Sequence, residues 1–219
     1  MTIIREERIG GQRLILGDCL KVMPTLGRFD ACITDPPYGI NIAANPVRQK
    51  HKKKAWDAKP VGQEHLEAMF AISAEQLIWG GNYFALPPSR GFLVWDKKQP
   101  ENFSLAMCEF AWWSRDHNAK VYSRSVLGYE KSHPTQKPVD LMQWCLGFMP
   151  HAVTILDPFM GSGTTLVACQ KLGRAGTGIE IDPEYFAIAC KRVDEATRQA
   201  DMFVQNAPTV KPTQEAMEL

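Results

Sequence analysis

The sequence is informative first for what it lacks. None of its six cysteines (Cys19, Cys32, Cys108, Cys145, Cys169 and Cys190) forms a C-x-x-C pair, which argues against a zinc ribbon or a thioredoxin-like motif. The thiols are scattered through apolar segments and are expected to be reduced core residues of a cytoplasmic protein, with no metal site. No run of about 18 apolar residues exists, so no helical membrane span is expected. The first eight residues have no apolar core for a secretory signal. Charge of one sign is not in excess either: 25 Lys and Arg face 24 Asp and Glu, a net charge of +1. Composition alone therefore does not mark a nucleic-acid binder, and any such partner must be argued from local residues. Repeats and low-complexity tracts are absent. What is present is 45% hydrophobic and 22% charged over 219 residues, which is the make-up of a folded globular domain. A single domain over 1–205 is expected, with a polar, proline-containing flexible tail over 206–219.

Short apolar runs alternate with helical patterns along the chain. Strands are predicted over 13–16, 29–34, 77–79, 92–95, 107–114, 120–123, 154–156 and 176–181. Helices are predicted over 63–74, 139–148, 163–172 and 183–197, with a turn and short helix over 18–26 and a long loop over 41–62. That alternation implies a mainly parallel sheet with helices on both faces. Trp112 and Trp113 are adjacent, so at most one of them is expected to face the core from a strand.

Two predicted strand ends carry chemistry, and ligands of open parallel sheets sit beyond such ends. One is Leu156-Asp157-Pro158-Phe159-Met160-Gly161-Ser162-Gly163-Thr164-Thr165. Its glycines let backbone approach a ligand, and the following helix offers unpaired N–H groups. The three-glycine dinucleotide spacing is absent, and no Lys precedes Thr164 as a phosphate loop requires. The next strand ends at Glu180-Ile181-Asp182, where an acid can accept hydrogen bonds from ribose hydroxyls. An adenosine-containing ligand without a phosphate fits, although the pattern alone also suits a plain strand–turn–helix with a capping acid. The other strand end is Asp35-Pro36-Pro37-Tyr38. Neither proline has an N–H, so their carbonyls are presented without competing donors. Asp35 and the Pro36 carbonyl can accept the two hydrogens of an exocyclic amine, and Tyr38 offers a stacking face.

These motifs resemble the β class of amino-group DNA methyltransferases that use S-adenosylmethionine, in which the Asp-Pro-Pro-Tyr motif precedes the cofactor loop as it does here. Gly17-Asp18-Cys19-Leu20 resembles the family segment whose acid contacts the cofactor adenine. Leu77-Ile78-Trp79-Gly80-Gly81-Asn82-Tyr83-Phe84 and Val94-Trp95-Asp96-Lys97 match its middle strands. His133-Pro134-Thr135-Gln136-Lys137-Pro138 matches the segment that closes over the methionine part. The match covers roughly residues 13–195.

The resemblance implies a class I methyltransferase fold: a mostly parallel seven-stranded sheet with one reversed strand and helices on both faces. It implies catalysis by Asp35, Pro36, Pro37 and Tyr38 on adenine N6 of a base flipped out of double-stranded DNA. Cytosine N4 is the alternative target. RNA or protein amino-methylation and a non-catalytic DNA-binding relative are further readings. Cofactor contacts are implied for Asp18, Cys19, Asp35, His133, Thr135, Lys137, Asp157, Phe159, Gly161, Ser162, Gly163, Thr164, Thr165, Glu180, Ile181 and Asp182. No cysteine follows a proline, as the nucleophile of a cytosine-C5 enzyme usually does. DNA contacts are expected from the basic run containing Arg48, Lys50, Lys52, Lys53 and Lys54 in loop 41–62. Segment 114–132, which contains Arg124, is the second expected contact. Few residues are left over for target recognition, so a share in it for a second subunit, in a homodimer, is expected.

Overall fold

The computed structural model describes residues 2–39, 61–100, 102, 106–126 and 136–205, with side chains as far as residue 199. The chain opens with a hairpin: β1 (Ile3–Ile9) turns through Gly10-Gly11 into β2 (Gln12–Gly17). A short helix α1 (Cys19–Val22) and a 3-10 turn lead to β3 (Phe29–Thr34). After α2 (Gln63–Ile72) the chain passes directly into β4 (Ser73–Trp79), followed by β5 (Phe92–Asp96), β6 (Cys108–Trp113) and β7 (Lys120–Ser123). Then come α3 (Val139–Gly147), β8 (Thr154–Asp157), α4 (Thr164–Lys171), β9 (Ala175–Glu180) and α5 (Pro183–Gln205).

The strands form one sheet in the order β1-β2-β9-β8-β3-β4-β6-β5-β7. β1 is antiparallel to β2, and β6 is antiparallel to both β4 and β5; the other neighbours are parallel. The expected seven strands with one reversed are therefore corrected to nine with two reversed among the described residues. Patterning marks eight of the nine. β1 escapes because its centre, Arg5-Glu6-Glu7-Arg8, reads as solvated. As an edge strand it has no need of an apolar run, and charge there discourages further pairing. Arg13 of β2 holds Glu6 at 2.8 Å across the hairpin.

Side chains alternate between the two faces. On one face Ala31, Ile33, Leu77, Trp79, Ala111 and Trp113 pack with Leu141 and Cys145 of α3. Leu14 and Leu16 meet Phe186, Ala189 and Val193 of α5 on that face. On the other face Ile15, Cys32, Ile78 and Trp112 pack with Val22, Leu66 and Met69 from α1 and α2. Trp112 and Trp113 are thus both buried, at 4% and 1% exposure. The expectation that at most one faces the core fails because this sheet is covered on both sides. All six cysteines are free thiols, four of them buried. No described helix is long and apolar enough to cross a membrane.

The parallel strands bring Thr34, Trp79, Asp157 and Glu180 to one rim of the sheet. Reversed β6 begins there, so its first residues join the same rim. Phe186 is 1% exposed and anchors α5 on the sheet. Phe186→Ala is expected to lower unfolding free energy by about 3–5 kcal/mol, measured by urea titration.

Candidate active site

β3 stops at Asp35 because Pro36 and Pro37 cannot donate to a ladder. Tyr38 then folds back, and its hydroxyl donates to Asp35 Oδ1. The Tyr38 ring lies parallel to that of Tyr83, with centroids 4.9 Å apart and planes at 12°. Gly80 makes room for this arrangement. It has φ of +68°, and a Cβ there would collide with the Tyr38 ring.

The second Asp35 oxygen, Oδ2, lies 2.5 Å from Lys137 Nζ. The same ammonium is 3.0 Å from Glu109 Oε2 and donates to the Tyr38 hydroxyl at 3.3 Å. It also sits 5.1 Å from the centroid of Trp79. Glu109 Oε1 in turn lies 2.5 Å from Lys97 Nζ. Strand alternation explains the row. Glu109 shares a face with Ala111 and Trp113 on β6, and Lys97 follows Leu93 and Trp95 in the same phase just beyond β5. Lys137 comes down onto that face just before α3.

The Lys137 side chain is only 5% exposed, against 23% for Asp35 and 25% for Glu109. A cation so enclosed persists only when paired. Burial pulls its pKa down, but the Asp35 and Glu109 carboxylates outweigh that and hold it above the usual lysine value. Burial raises Asp35, against the opposing pull of Lys137. Burial also works against ionised Glu109, but Lys137 and Lys97 together hold it down at about 2. Burial and the Asp35 charge push the Tyr38 hydroxyl well up, so it remains a donor.

Asp157 closes β8 and accepts from Thr34 Oγ1 at 2.7 Å, Thr165 Oγ1 at 2.5 Å and Phe159 N at 3.1 Å. Burial pushes its pKa up to about 6. In the turn that follows, Gly161 N donates to Glu180 Oε2 at 2.9 Å, and Asp182 N donates to Oε1 at 2.8 Å. Burial pushes Glu180 up to about 7. Arg192 reaches in from α5 and donates from Nη1 to Ser162 O and Ser162 Oγ, both at 2.7 Å, and to Thr164 Oγ1 at 3.1 Å.

Asp35, Pro37, Lys137, Asp157, Phe159, Gly161, Ser162, Thr164, Thr165, Glu180 and Ile181 line one open cleft. Pro36 is buried and Tyr38 half-buried beside it. Of the described residues expected to contact the cofactor, four are absent from the lining. Asp18 caps α1, accepting from Leu20 N at 3.1 Å, and Cys19 is buried next to it. The bare Cα of Gly163 faces Ala189 of α5, where a Cβ would come within 3.0 Å. Asp182 caps α5, accepting from Glu184 N and Tyr185 N.

Sequence reasoning missed Met142, Met160 and Tyr185 in the lining, and it missed Glu109, Lys97 and Arg192. No local pattern marks these last three, since their partners lie far along the chain. The Arg124 guanidinium is held by Asp140 at 2.6 Å, which takes up charge expected to meet DNA. His133, Thr135, Arg48, Lys50, Lys52, Lys53 and Lys54 lie outside the described residues.

A family model described as DNA methylase matches residues 94–191. Type II methyltransferase M.HpaI of Haemophilus parainfluenzae is 45% identical over 236 residues, covering 84% of this chain and 74% of its own. Putative methylase YubD of Escherichia coli K12 is 27% identical over 218 residues, covering 89% and 95%. Among solved structures, the M1.HpyAVI–SAM complex superposes with a TM-score of 0.57 at 26% identity, covering 83% of this chain and 99% of that one. The cytosine-N4-specific PvuII DNA methyltransferase shares the fold at a TM-score of 0.56 and 14% identity, covering 94% and 98%. Identity and coverage of this extent, together with the match of the family model, establish that the chain belongs to the N6/N4 DNA methylase family.

Proposed function

We propose that this protein is a restriction-modification-type DNA amino-methyltransferase that transfers a methyl group from S-adenosylmethionine to adenine N6. The observation that carries this reading is the meeting of two sites at one rim. The amine-accepting Asp35-Pro36-Pro37-Tyr38 corner opens into the cleft that holds Glu180 and the Gly161 turn. The chemistry of the cleft fits the methyl donor. Three carboxylates (Asp35, Asp157 and Glu180) and one lysine line it, which suits a cationic, phosphate-free nucleoside. When bound there, S-adenosylmethionine supplies an electrophilic methyl on its sulfonium. Glu180 is placed to accept from ribose hydroxyls, and Arg192 holds the Ser162–Thr164 backbone in shape.

The target base is flipped out so that its amine reaches Asp35. Stacking on Tyr38 contributes about 1–3 kcal/mol. The arriving amine displaces the Tyr38 hydroxyl from Asp35 Oδ1, and its other hydrogen goes to the Pro36 carbonyl. As the new N–C bond forms and the S–C bond breaks, positive charge develops on the amine nitrogen. The Asp35 carboxylate therefore acts more strongly on the transition state than on the ground state. The extra amine proton then leaves to Asp35. Asp35, rather than Ser, at the first motif position favours adenine. The basic run at Arg48, Lys50, Lys52, Lys53 and Lys54 follows this corner in the sequence and supplies cations for DNA phosphates, with a second subunit contributing to site selection.

Purified protein incubated with labelled S-adenosylmethionine and unmethylated DNA is expected to yield N6-methyladenine on nucleoside analysis. N4-methylcytosine would replace the adenine assignment, and label on RNA or protein alone would overturn the DNA reading. Asp35→Ala is expected to weaken cofactor binding only modestly, by calorimetry, and to lose about 10²–10³ in kcat. Glu180 binds a ribose diol best as the carboxylate and is protonated below about pH 7. Cofactor Kd should accordingly rise as pH falls from 8 to 6, and Glu180→Gln should weaken binding and flatten that dependence.

A further inference from the structure

Lys137 has two carboxylate partners where one would neutralise it. A lysine bound to Asp35 alone would act as its full counter-ion and make it a poor acceptor for an amine that is becoming cationic. Glu109 lies 3.0 Å from the same ammonium and is itself steadied by Lys97 at 2.5 Å. Resting on the amino-methyltransferase reading, we propose that Glu109 is a positioning residue for methyl transfer. It divides the charge of Lys137 between two carboxylates, so that Lys137 orients Asp35 through Oδ2 while Oδ1 stays an effective acceptor for the target amine.

Among the described residues, the charged and titratable groups around Asp35 are few. Tyr38 faces it from its own segment, Asp157 from β8, Glu109 from β6 and Lys137 from the segment before α3. Tyr83 reaches it only through Tyr38. Among these, Glu109 and Asp157 are the anions that oppose ionisation of Asp35, and Lys137 is the cation that favours it. Asp157 is bound up with Thr34, Thr165 and Phe159 N and touches neither Lys137 nor Lys97. The balance around Asp35 is therefore set by Glu109 through Lys137. The proton lost from the methylated amine moves to Asp35 and on to solvent at the cleft, and Glu109 takes no part in that transfer.

The test is the pH profile of kcat on the substrate DNA, with cofactor Kd measured alongside. Glu109→Gln keeps the shape and removes the charge. It should lower kcat about tenfold with little change in cofactor Kd. It should also move the acid limb down by about one pH unit, because Lys137 then serves Asp35 alone. Lys97→Met removes a cation at the other end of the row and should move the limb up. This opposite shift keeps the proposal open to refutation even if Glu109→Gln folds poorly in a thermal melt. Glu109→Asp should restore the wild-type limb. A limb that stays in place in both charge variants, or moves the same way in both, would overturn the proposal. A wild type that transfers no methyl to DNA would instead overturn the reading beneath it.

Discussion

Much of this rim hangs on one buried carboxylate. Asp157 accepts from Thr34 at the end of β3 and from Thr165 in the first turn of α4. The strand that delivers Asp35 and the helix that follows the glycine turn therefore share an anchor. Hydrogen bonds to a charged acceptor contribute about 1.5–3 kcal/mol each. More important is what they fix: the distance between the Asp35 corner and the cleft. Methyl transfer is a direct displacement, and its rate depends on how well two bound reactants are held in line. The backbone of that arrangement is secured from below by Asp157 and from the side by Arg192.

Most of the architecture is legible in the sequence, and what is not has physical causes. The two strand ends are readable because each carries a clear backbone break: two prolines after an acid, and glycines between a strand and a helix. β1 is unreadable as a strand because an edge strand can be charged throughout. The burial of both Trp112 and Trp113 depends on helices covering each face, which no local window contains. Glu109 is the clearest omission. In Cys108-Glu109-Phe110 it is an isolated acid on a short strand, and its meaning comes from Lys97 and Lys137, brought together by the reversed direction of β6. Gly163 has a packing role that its motif does not reveal. Its motif suggests ligand contact, but its missing Cβ lets α5 pack close to the loop.

The charge balance also takes on a different meaning. A net charge of +1 conceals a sorted distribution. Near the rim, Lys97, Lys137 and Arg124 are all tied to carboxylates. Arg115 and Asp116 lie near Glu75 and Arg90 respectively. The described part of segment 114–132 thus offers few uncommitted cations.

The row from Asp35 through Lys137 and Glu109 to Lys97 draws on four separate stretches of chain. Glu109 lies opposite Trp95 in β5, and Ala111 lies opposite Trp79 in β4. A slip of β6 by one residue would turn Glu109 to the other face and set Cys108 or Phe110 against the ammonium. Such a slip would leave the enclosed Lys137 with one carboxylate instead of two and would take Glu109 away from Lys97. The same four charges that prepare an acceptor for chemistry thereby penalise a misaligned sheet, so folding fidelity and reactivity are written into one set of side chains.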